Sequence, residues 1–205
     1  MKTILHYYGH SCFRFDDGQY SLVIDPFKNG SVPNLIIEKP IKANKVLLSH
    51  HHDDHDGVEN VQLISSSFDV NVDKINSFHD KVNGKERGNN VIHVILRNGL
   101  KIVHLGDLGD IDSIEDIFKI KNADVVLIPI NGYYTIGAEE AYELISRINP
   151  KLVIPMHYYK KENNSGYKDD NQLDKFLKLM KDYQIAPSNE VLIEDYLMKT
   201  KCLVM

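Results

Sequence analysis

Short apolar runs, separated by polar turn residues, dominate the first half of the chain. The runs are rich in β-branched and aromatic residues, which is typical of strands. The turns include Asp16-Asp17-Gly18 and Asn98-Gly99, which are hairpin signals. Residues 28–44, rich in Asn, Pro and Lys, predict a loop or an edge segment. The strands predicted in this half are residues 3–8, 12–15, 20–24, 45–49, 61–65, 72–78, 91–96 and 100–105.

From residue 110 onwards the pattern alternates between strand and helix. Amphipathic spacing indicates helices, and continuous apolar runs indicate buried strands. The predicted helices are residues 113–120, 138–148 and 171–182, and the predicted strands are residues 123–129, 151–156, 191–193 and 196–203. No repeat or linker interrupts the chain. We therefore predict one α/β domain over residues 1–205, with a mixed sheet or two sheets.

The composition is that of an ordinary globular protein. Of the 205 residues, 42% are hydrophobic and 26% are charged, which argues against a disordered chain. The formal net charge of -5 lacks the basic excess of a dedicated nucleic-acid binder. No apolar run approaches the roughly 20 residues of a membrane-spanning helix. We expect a small-molecule substrate with no nucleic-acid or membrane partner, and the sequence leaves a homo-oligomer open.

The cysteines and the first residues bear on location. Only Cys12 and Cys202 are present, so a disulfide framework is excluded. The opening residues hold no hydrophobic segment of a signal peptide. Both observations favour a cytoplasmic protein.

Four of the ten histidines lie in one window of six residues, at positions 50–55. The window follows a predicted strand, so we expect it on a loop at that strand's C-terminal end. His50 and His52 leave an extended backbone on the same side and can reach one metal ion, while Asp54 and His55 can reach a second. The alternatives are a solvated polar loop and an accidental histidine run. We favour metal binding because the window begins directly after an apolar strand.

Three further residues stand where a predicted strand meets a loop: His79, Asp107 and His157. Gly106, before Asp107, lets the backbone approach a ligand closely. Taken singly, each residue has another interpretation. His79 could be a surface histidine and Asp107 could cap a helix, while His157 favours neither interpretation.

Taken together, five segments resemble the metallo-β-lactamase-fold superfamily, whose motifs follow in the same order. They are Ile24-Asp25-Pro26, His50-x-His52-x-Asp54-His55, Ser77-Phe78-His79-Asp80, His104-Leu105-Gly106-Asp107 and Ile154-Pro155-Met156-His157-Tyr158. The opening Gly9-His10-Ser11-Cys12-Phe13 looks most like the branch that contains the L-ascorbate-6-phosphate lactonases. The resemblance implies a four-layer α/β-β/α sandwich, with two packed mixed sheets, outer helices and metals at one edge between the sheets.

The resemblance also implies a ligand set for two divalent metal ions. Zinc is the first choice, and mixed imidazole and carboxylate ligands also admit manganese or iron. The implied first metal is held by His50, His52 and His79, the second by Asp54, His55 and His157, and Asp107 bridges the two.

The implied reaction is hydrolysis of an ester or lactone in a small metabolite, phosphorylated or not. Two ions about 3.5–4 Å apart lower the pKa of a shared water towards about 7, so hydroxide held on the metals would attack, with Asp54 passing a proton. No other nucleophile stands out, because Ser11 lacks a strand–turn–helix context and Cys12 lies in an apolar strand. A metal-dependent phosphodiesterase and a metal-binding protein without turnover stay as alternatives.

The other titratable residues near these motifs have mainly structural interpretations. We expect Asp25 to orient the loop that carries the histidine window through hydrogen bonds, and we expect His51 to point away from the metals. His104 is expected in the core or beside the metal loop, and His6 and His93 are expected to be structural. His10 is left open between a structural role and a contact with substrate or a ligand.

Two sets of residues could line a substrate pocket. Lys85 and Arg87 follow His79 and could meet an anion, although an exposed charged loop is the commoner meaning. Four tyrosines could line a pocket or simply pack in the core: Tyr133, Tyr134, Tyr158 and Tyr159.

Overall fold

The structure is a computed structural model, and it describes residues 2–67 and 69–205. The strands are β1 (Ile4–Gly9), β2 (Cys12–Asp16), β3 (Ser21–Ile24), β4 (Ile41–Ala43), β5 (Lys45–Leu47), β6 (Val61–Leu63), β7 (Asn71–Phe78), β8 (Asn89–Arg97), β9 (Leu100–His104), β10 (Val125–Pro129), β11 (Leu152–Met156), β12 (Tyr183–Ile185), β13 (Glu190–Leu192) and β14 (Cys202–Val204). The helices are α1 (Ile117–Ile120), α2 (Ala138–Ile148) and α3 (Gln172–Met180), with 3₁₀ turns at Val58–Asn60, Ile111–Ser113 and Ile193–Asp195.

The strands form two large mixed sheets and one small sheet. The first large sheet has the order β13-β1-β2-β3-β5, in which β3 and β5 are parallel and the other pairs are antiparallel. The second has the order β12-β14-β11-β10-β9-β8-β7, in which β12 to β9 are parallel and β8 is antiparallel to both neighbours. Strands β4 and β6 pair separately. Of the two arrangements left open by the sequence, the chain adopts two sheets.

The alternation of side chains along each strand explains why the two large sheets pack face to face. In the first sheet, Phe13 and Ile24 point towards the second sheet and Val23 points away from it. In the second sheet, Leu127 faces the first sheet and Val126 faces the helices. Strand β10 is buried on both faces, as is usual for a parallel strand covered on each side.

The outer faces of the two sheets are covered differently. Helix α2 buries Ala141 and Leu144 against the second sheet, and α1 and α3 pack on the same side. The outer face of the first sheet packs instead against the irregular chain around Phe27 and Val32 and against β4. The two packed mixed sheets confirm the predicted sandwich. In the described part of the chain the α-helices lie on the seven-stranded sheet, and irregular chain with β4 takes the place of outer helices on the five-stranded sheet.

Most elements lie where the sequence predicts them, and α2 has the predicted bounds. The helix predicted at residues 113–120 is divided into a 3₁₀ turn and α1, because Asp110 and Asp116 each accept a backbone N–H and begin separate turns. The helix predicted at residues 171–182 ends at Met180, where Lys181 takes a positive φ of 61°, and β12 follows. Strands β4 and β12, of three residues each, were not predicted.

One edge of the sandwich collects the loops that carry chemistry. Strands β7, β9, β10 and β11 all end at this edge, because β8 runs opposite to β7 and β9. The parallel strands β3 and β5 end there from the first sheet. Within the described residues, no helix has the length and apolar character needed to cross a bilayer.

Candidate metal centre

The structure brings all seven predicted ligand residues together at this edge. They come from the loops that follow four strands of both sheets: His50, His52, Asp54 and His55 after β5, His79 after β7, Asp107 after β9 and His157 after β11. The turn between β1 and β2 adds His10. Residues from distant parts of the chain therefore meet because the strand ends meet.

The carboxylate of Asp107 is the centre of the cluster, and Asp107 is 1% exposed. Its Oδ2 atom lies close to the Nε2 atoms of four histidines: His157 at 3.1 Å, His55 and His79 at 3.2 Å, and His50 at 4.0 Å. His50 Nε2 also lies 3.1 Å from His52 Nδ1. Five imidazoles thus converge on or beside one carboxylate.

The donor atoms divide into two groups, each within 4.8 Å. One group is His50, His52 and His79, and the other is His10, Asp54, His55 and His157. Asp107 forms a third group with His50, from the first group, and His55, from the second, so it lies between the two groups. Apart from His10, the groups coincide with the two ligand sets that the resemblance implies.

Several buried side-chain nitrogen and oxygen atoms in the cluster have no hydrogen-bond partner among the described residues. They include Nε2 of His55 and Nε2 of His157, which lie 3.2 Å and 3.1 Å from Asp107 Oδ2 but outside hydrogen-bond geometry, together with Nδ1 of His157 and Oδ1 of Asp107. Buried polar atoms normally find a partner, so a cluster of unpaired nitrogen and oxygen atoms indicates a ligand that shares them. Imidazole and carboxylate are the donors that zinc, manganese and iron accept. The residues therefore fit divalent metal ions.

Asp25, beneath the cluster, orients two of the histidines. Its Oδ2 accepts hydrogen bonds from Ser49 Oγ at 2.6 Å and from His55 Nδ1 at 2.9 Å, and its Oδ1 accepts one from the Ser49 backbone N–H. The Ser49 hydroxyl donates its one hydrogen to Asp25, so at 2.9 Å it accepts from Nδ1 of His50. Both imidazoles then carry a proton on Nδ1, and their Nε2 atoms face the cluster. The predicted role of Asp25 is confirmed.

The turn that presents Asp107 is held by contacts from other strands. Gly106 has φ +57°, and a Cβ there would lie 2.3 Å from Asn90 Oδ1. The Asn90 side chain accepts the Asp107 N–H at 2.9 Å, and the His104 ring accepts the Gly106 N–H at 3.1 Å while donating to the Ser11 carbonyl. His104 thus lies in the core, as expected, and it also supports the turn that presents Asp107.

Burial and neighbouring charges set the protonation of the cluster. Burial lowers the pKa of His50 to about 3, helped by the nearby His55, so His50 is neutral at pH 7 and keeps a free lone pair. Burial also disfavours charge on His55, but the carboxylates of Asp107 and Asp25 hold its pKa well above the usual value. Burial opposes ionisation of Asp107, yet His157 and His55 hold the pKa of that carboxyl well below its usual range.

His10 contacts a predicted ligand directly. Its Nε2 lies 3.1 Å from Asp54 Oδ2, and its ring centroid lies 3.8 Å from that of His157. Burial lowers the pKa of His10 to about 4, followed by the effect of His157, so its Nε2–H donates to the carboxylate. The open interpretation of His10 is thus resolved in favour of a contact with Asp54.

An open cleft of about 230 Å³ leads to the cluster. Its lining combines cluster residues with one arginine and two tyrosines: His52, Asp54, His79, Arg87, Asp107, Tyr134 and Tyr167. Of the predicted pocket residues, Arg87 and Tyr134 line the cleft. Lys85 is exposed, and Tyr158 is buried with its hydroxyl donating to the Met205 carbonyl.

The remaining histidines behave as predicted. His51 points to solvent and lies 2.8 Å from Asp56 Oδ2. His6 lies beside Glu190 and Arg14, and His93 lies 2.9 Å from the Leu48 carbonyl oxygen.

Sequence reasoning missed Ser49, Asn90 and Tyr167. Ser49 adjoins the histidine window, so its position was a usable signal. Asn90 is a polar residue within an apolar strand, which also hints at a special role. Tyr167 carries no local signal, since only the folding of its loop over Ser31 brings it to the cleft.

Comparison with known proteins agrees with the geometry. The family model described as "Beta-lactamase superfamily domain" matches residues 4–157. The chain is 30% identical over 191 residues to a UPF0173 metal-dependent hydrolase of Desulforamulus reducens, covering 75% of this chain and 83% of that protein. It is 27% identical over 183 residues to a UPF0173 metal-dependent hydrolase of Natranaerobius thermophilus, with 75% and 82% covered.

A solved structure is similar over nearly the whole chain. It is that of a metallo-β-lactamase superfamily protein from Thermotoga maritima, with a TM-score of 0.74 and 30% sequence identity over 99% of this chain and 98% of that one. The metallo hydrolase Igni18 from Ignicoccus hospitalis has a TM-score of 0.63 at 19% identity, over 100% of this chain and 95% of its own, and shows the fold alone.

Proposed function

Since the chain belongs to the metallo-β-lactamase superfamily of metal-dependent hydrolases, we propose that it uses two divalent cations to cleave an ester or lactone bond in a small molecule. The observation that carries the proposal is the convergence of histidines on Asp107 at the floor of a cleft. The Thermotoga maritima relative is named as a candidate zinc-dependent hydrolase, and zinc is our first choice of metal.

The two donor groups would each hold one cation. His50, His52 and His79 would bind the first, Asp54, His55 and His157 the second, and Asp107 would bridge them. Bound divalent cations acidify a water molecule and polarise the oxygen of a substrate carbonyl.

Asp54 is the residue best placed to handle a proton. It lines the cleft, and its side chain is 15% exposed. Burial opposes its ionisation, but the hydrogen bond from His10 and the nearby His55 hold the pKa of Asp54 well below its usual range. The carboxylate would accept the proton of the attacking water and deliver it to the leaving oxygen, while the His10 N–H fixes its orientation.

The cleft favours a small ester or lactone over a nucleic-acid phosphodiester. Its volume of about 230 Å³ lies below the range of about 300–1,000 Å³ typical of drug-sized ligands. Arg87 is the one Lys or Arg among its lining residues, whereas a nucleic-acid backbone needs several cations.

We propose that the protein works in a reducing compartment, the cytoplasm. Cys12 and Cys202 are buried free thiols. Such thiols persist where disulfides do not form.

Metal content per chain tests the centre. The protein is purified without chelator or affinity tag, and bound metal is counted by plasma mass spectrometry. We expect two equivalents for the native chain, a sharp fall for the His52→Ala/Asp107→Ala double variant, and no change for His51→Ala, which alters an exposed histidine of the same window. Less than one equivalent after incubation with zinc, manganese and iron would refute the dinuclear centre.

Turnover tests the reaction. Metal-loaded protein is assayed with γ-butyrolactones, 4-nitrophenyl esters and bis(4-nitrophenyl) phosphate. Faster cleavage of the lactones or carboxylic esters supports the proposal. Preference for the phosphodiester would make the protein a phosphodiesterase, and no cleavage of any of the three would leave metal binding without turnover.

A further inference from the structure

Arg87 occupies a defined position at the wall of the cleft. It is the last residue of a loop at residues 80–87 that begins directly after His79, and the His79 N–H donates to the Gly88 carbonyl at 3.0 Å. The base of the loop is therefore closed, and Arg87 is held beside a residue of the metal cluster.

The carboxylate of Asp80 fills the centre of this loop. It accepts four backbone N–H groups, from Val82 and Glu86 at 2.9 Å and from Gly84 and Arg87 at 2.8 Å. Asp80 is itself 4% exposed. A loop organised by a buried carboxylate holds its side chains in place before a ligand arrives, which lowers the entropy lost on binding.

The guanidinium of Arg87 makes a weak ion pair within the described part of the protein. Among the described residues its ion pair is with Glu86, at 3.7 Å from Nη1 to Oε2, and the Glu86 side chain is 66% exposed. Such a surface pair contributes little. The guanidinium carbon lies 5.8 Å and 5.7 Å from the ring centres of Tyr133 and Tyr134. The two rings position the guanidinium without using its N–H donors.

Two tyrosines connect Arg87 to the metal cluster. The ring centres of Tyr134 and Tyr167 are 5.3 Å apart, and the Tyr167 ring lies 6.2 Å from that of His157. The Tyr167 hydroxyl is fixed by donation to the Ser31 carbonyl at 2.8 Å, so its ring lines the cleft. We call Arg87, Tyr134 and Tyr167 the arginine–tyrosine wall.

We propose that the arginine–tyrosine wall is a subsite for an anionic group of the substrate, a carboxylate or a phosphate, which Arg87 binds while the tyrosines cover the carbon skeleton. The planar guanidinium suits both oxyanions because each can accept two parallel N–H bonds. The inference rests on the proposed function, because it makes the substrate a small anionic ester or lactone. Arg87 and the cluster residues line the same cleft, so the anionic group and the bond that is cleaved would belong to one small molecule.

Three lactones test the subsite by kinetics: a γ-butyrolactone carboxylate, a hydroxymethyl-γ-butyrolactone phosphate and the neutral primary amide of the first. The variant Arg87→Gln removes the charge, and Lys85→Gln removes an exposed charge from the same loop. We expect Arg87→Gln to lower kcat/KM for an anionic lactone roughly 10- to 100-fold more than for the neutral amide. Lys85→Gln should leave kcat/KM unchanged both for the anionic lactones and for the neutral amide.

The outcomes separate the alternatives. A selective loss with the carboxylate or with the phosphate supports the subsite and identifies the anion. An equal loss with anionic and neutral lactones, or no loss, overturns it.

A failure of the proposed function would look different. If native metal-loaded protein hydrolyses none of the lactones, calorimetric titration with glutarate and with inorganic phosphate still decides the subsite. Weaker binding of either probe by Arg87→Gln than by Lys85→Gln supports it, and equal binding of both probes by the two variants removes it.

Discussion

A single carboxylate beneath the candidate metal centre orients histidines of both donor groups. Asp25 contacts His55 directly and reaches His50 through the hydroxyl of Ser49. Asp25 has a φ of +47°, a conformation that costs energy for a residue with a side chain. The surrounding hydrogen bonds compensate for that strain, and burial of the ion is offset because His55 and His104 keep the pKa of Asp25 below its usual range.

Removal of the Ser49 hydroxyl tests this orientation. In Ser49→Ala the Nδ1 atom of His50 loses its fixed partner, so the imidazole can rotate or change tautomer. We expect metal affinity to fall roughly 10- to 100-fold, as for other groups that hold a metal ligand. Competition with a fluorescent chelator measures the affinity. Ser146→Ala, which removes a hydroxyl that donates to the Tyr142 carbonyl within α2, is the control, and equal affinity in both variants would contradict the orientation.

At the scale of elements, the turn after β9 shows how backbone geometry sets the site. Gly106 combines a positive φ with close packing, because a Cβ at this position would lie 2.3 Å from Asn90 Oδ1 and 2.5 Å from Ser49 Cβ. A side chain there would displace the Asp107 turn from the four histidines.

The variant Gly106→Ala tests the turn against a matched control. Gly99, in the β8–β9 hairpin, also has a positive φ of +78°, but a Cβ there would lie more than 4 Å from every other described residue outside its chain neighbours. Gly99→Ala therefore reports the backbone strain alone, about 1 kcal/mol. We expect Gly106→Ala to lose more free energy of unfolding than Gly99→Ala and also to lose bound metal. Urea denaturation and metal analysis measure both, and similar results for the two variants would refute the steric role.

A second element-scale contact ties the two sheets at the end away from the metal centre. The Asp17 carboxylate, in the β2–β3 turn, accepts hydrogen bonds from Arg97 and Asn98 of the β8–β9 hairpin and from the backbone of Gln19 and Tyr20. Burial would raise the pKa of Asp17, but the Arg97 hydrogen bond and then the backbone N–H groups lower it to about 2.

This contact predicts a pH dependence of stability. A carboxyl whose pKa is lower in the folded state stabilises the fold above its unfolded pKa of about 3.9 and loses that contribution as pH falls towards about 2. We expect Asp17→Asn to lower the free energy of unfolding by about 2 kcal/mol at pH 7 and by less at pH 3. Urea denaturation at both pH values measures the difference. The exposed Asp73→Asn is the control, and a pH-independent loss in Asp17→Asn would contradict the cause.

For the whole molecule, the candidate metal centre is also a junction between the sheets. The histidine window extends from β5 of the first sheet, whereas His79, Asp107 and His157 extend from the second. A ligand that binds donors from both sheets stabilises the folded state, because the unfolded chain cannot present them together.

Metal removal should therefore lower the thermal stability of the whole chain. We expect a chelator to reduce Tm and added zinc or manganese to restore it, both measured by circular dichroism. The His52→Ala/Asp107→Ala variant should respond to neither treatment. Equal changes of Tm in the variant and the native chain would show that the stabilising metal binds at a different site.

Much of the secondary structure can be predicted from the sequence, as can the position of the histidine window at the end of a strand, because both depend on neighbouring residues in the chain. The spacing of apolar residues is enough for α2 and for the strands that bear the ligands. The remaining predicted metal ligands are His79, Asp107 and His157. They follow from the family resemblance, because they occur after the histidine window in the order of the family motifs.

The sequence offers Asp25, Arg87 and Tyr134 as candidates, and only the tertiary structure decides which partners they meet and which other residues join them. Asp25 meets His55, 30 residues away, and Asn90 meets Asp107, 17 residues away, because the packed sheets bring their strand ends together. Tyr167 reaches the cleft only because its loop folds over Ser31. Contacts of this kind depend on sheet order and packing, which local spacing does not encode, so the cleft and its arginine–tyrosine wall emerge only in the folded chain.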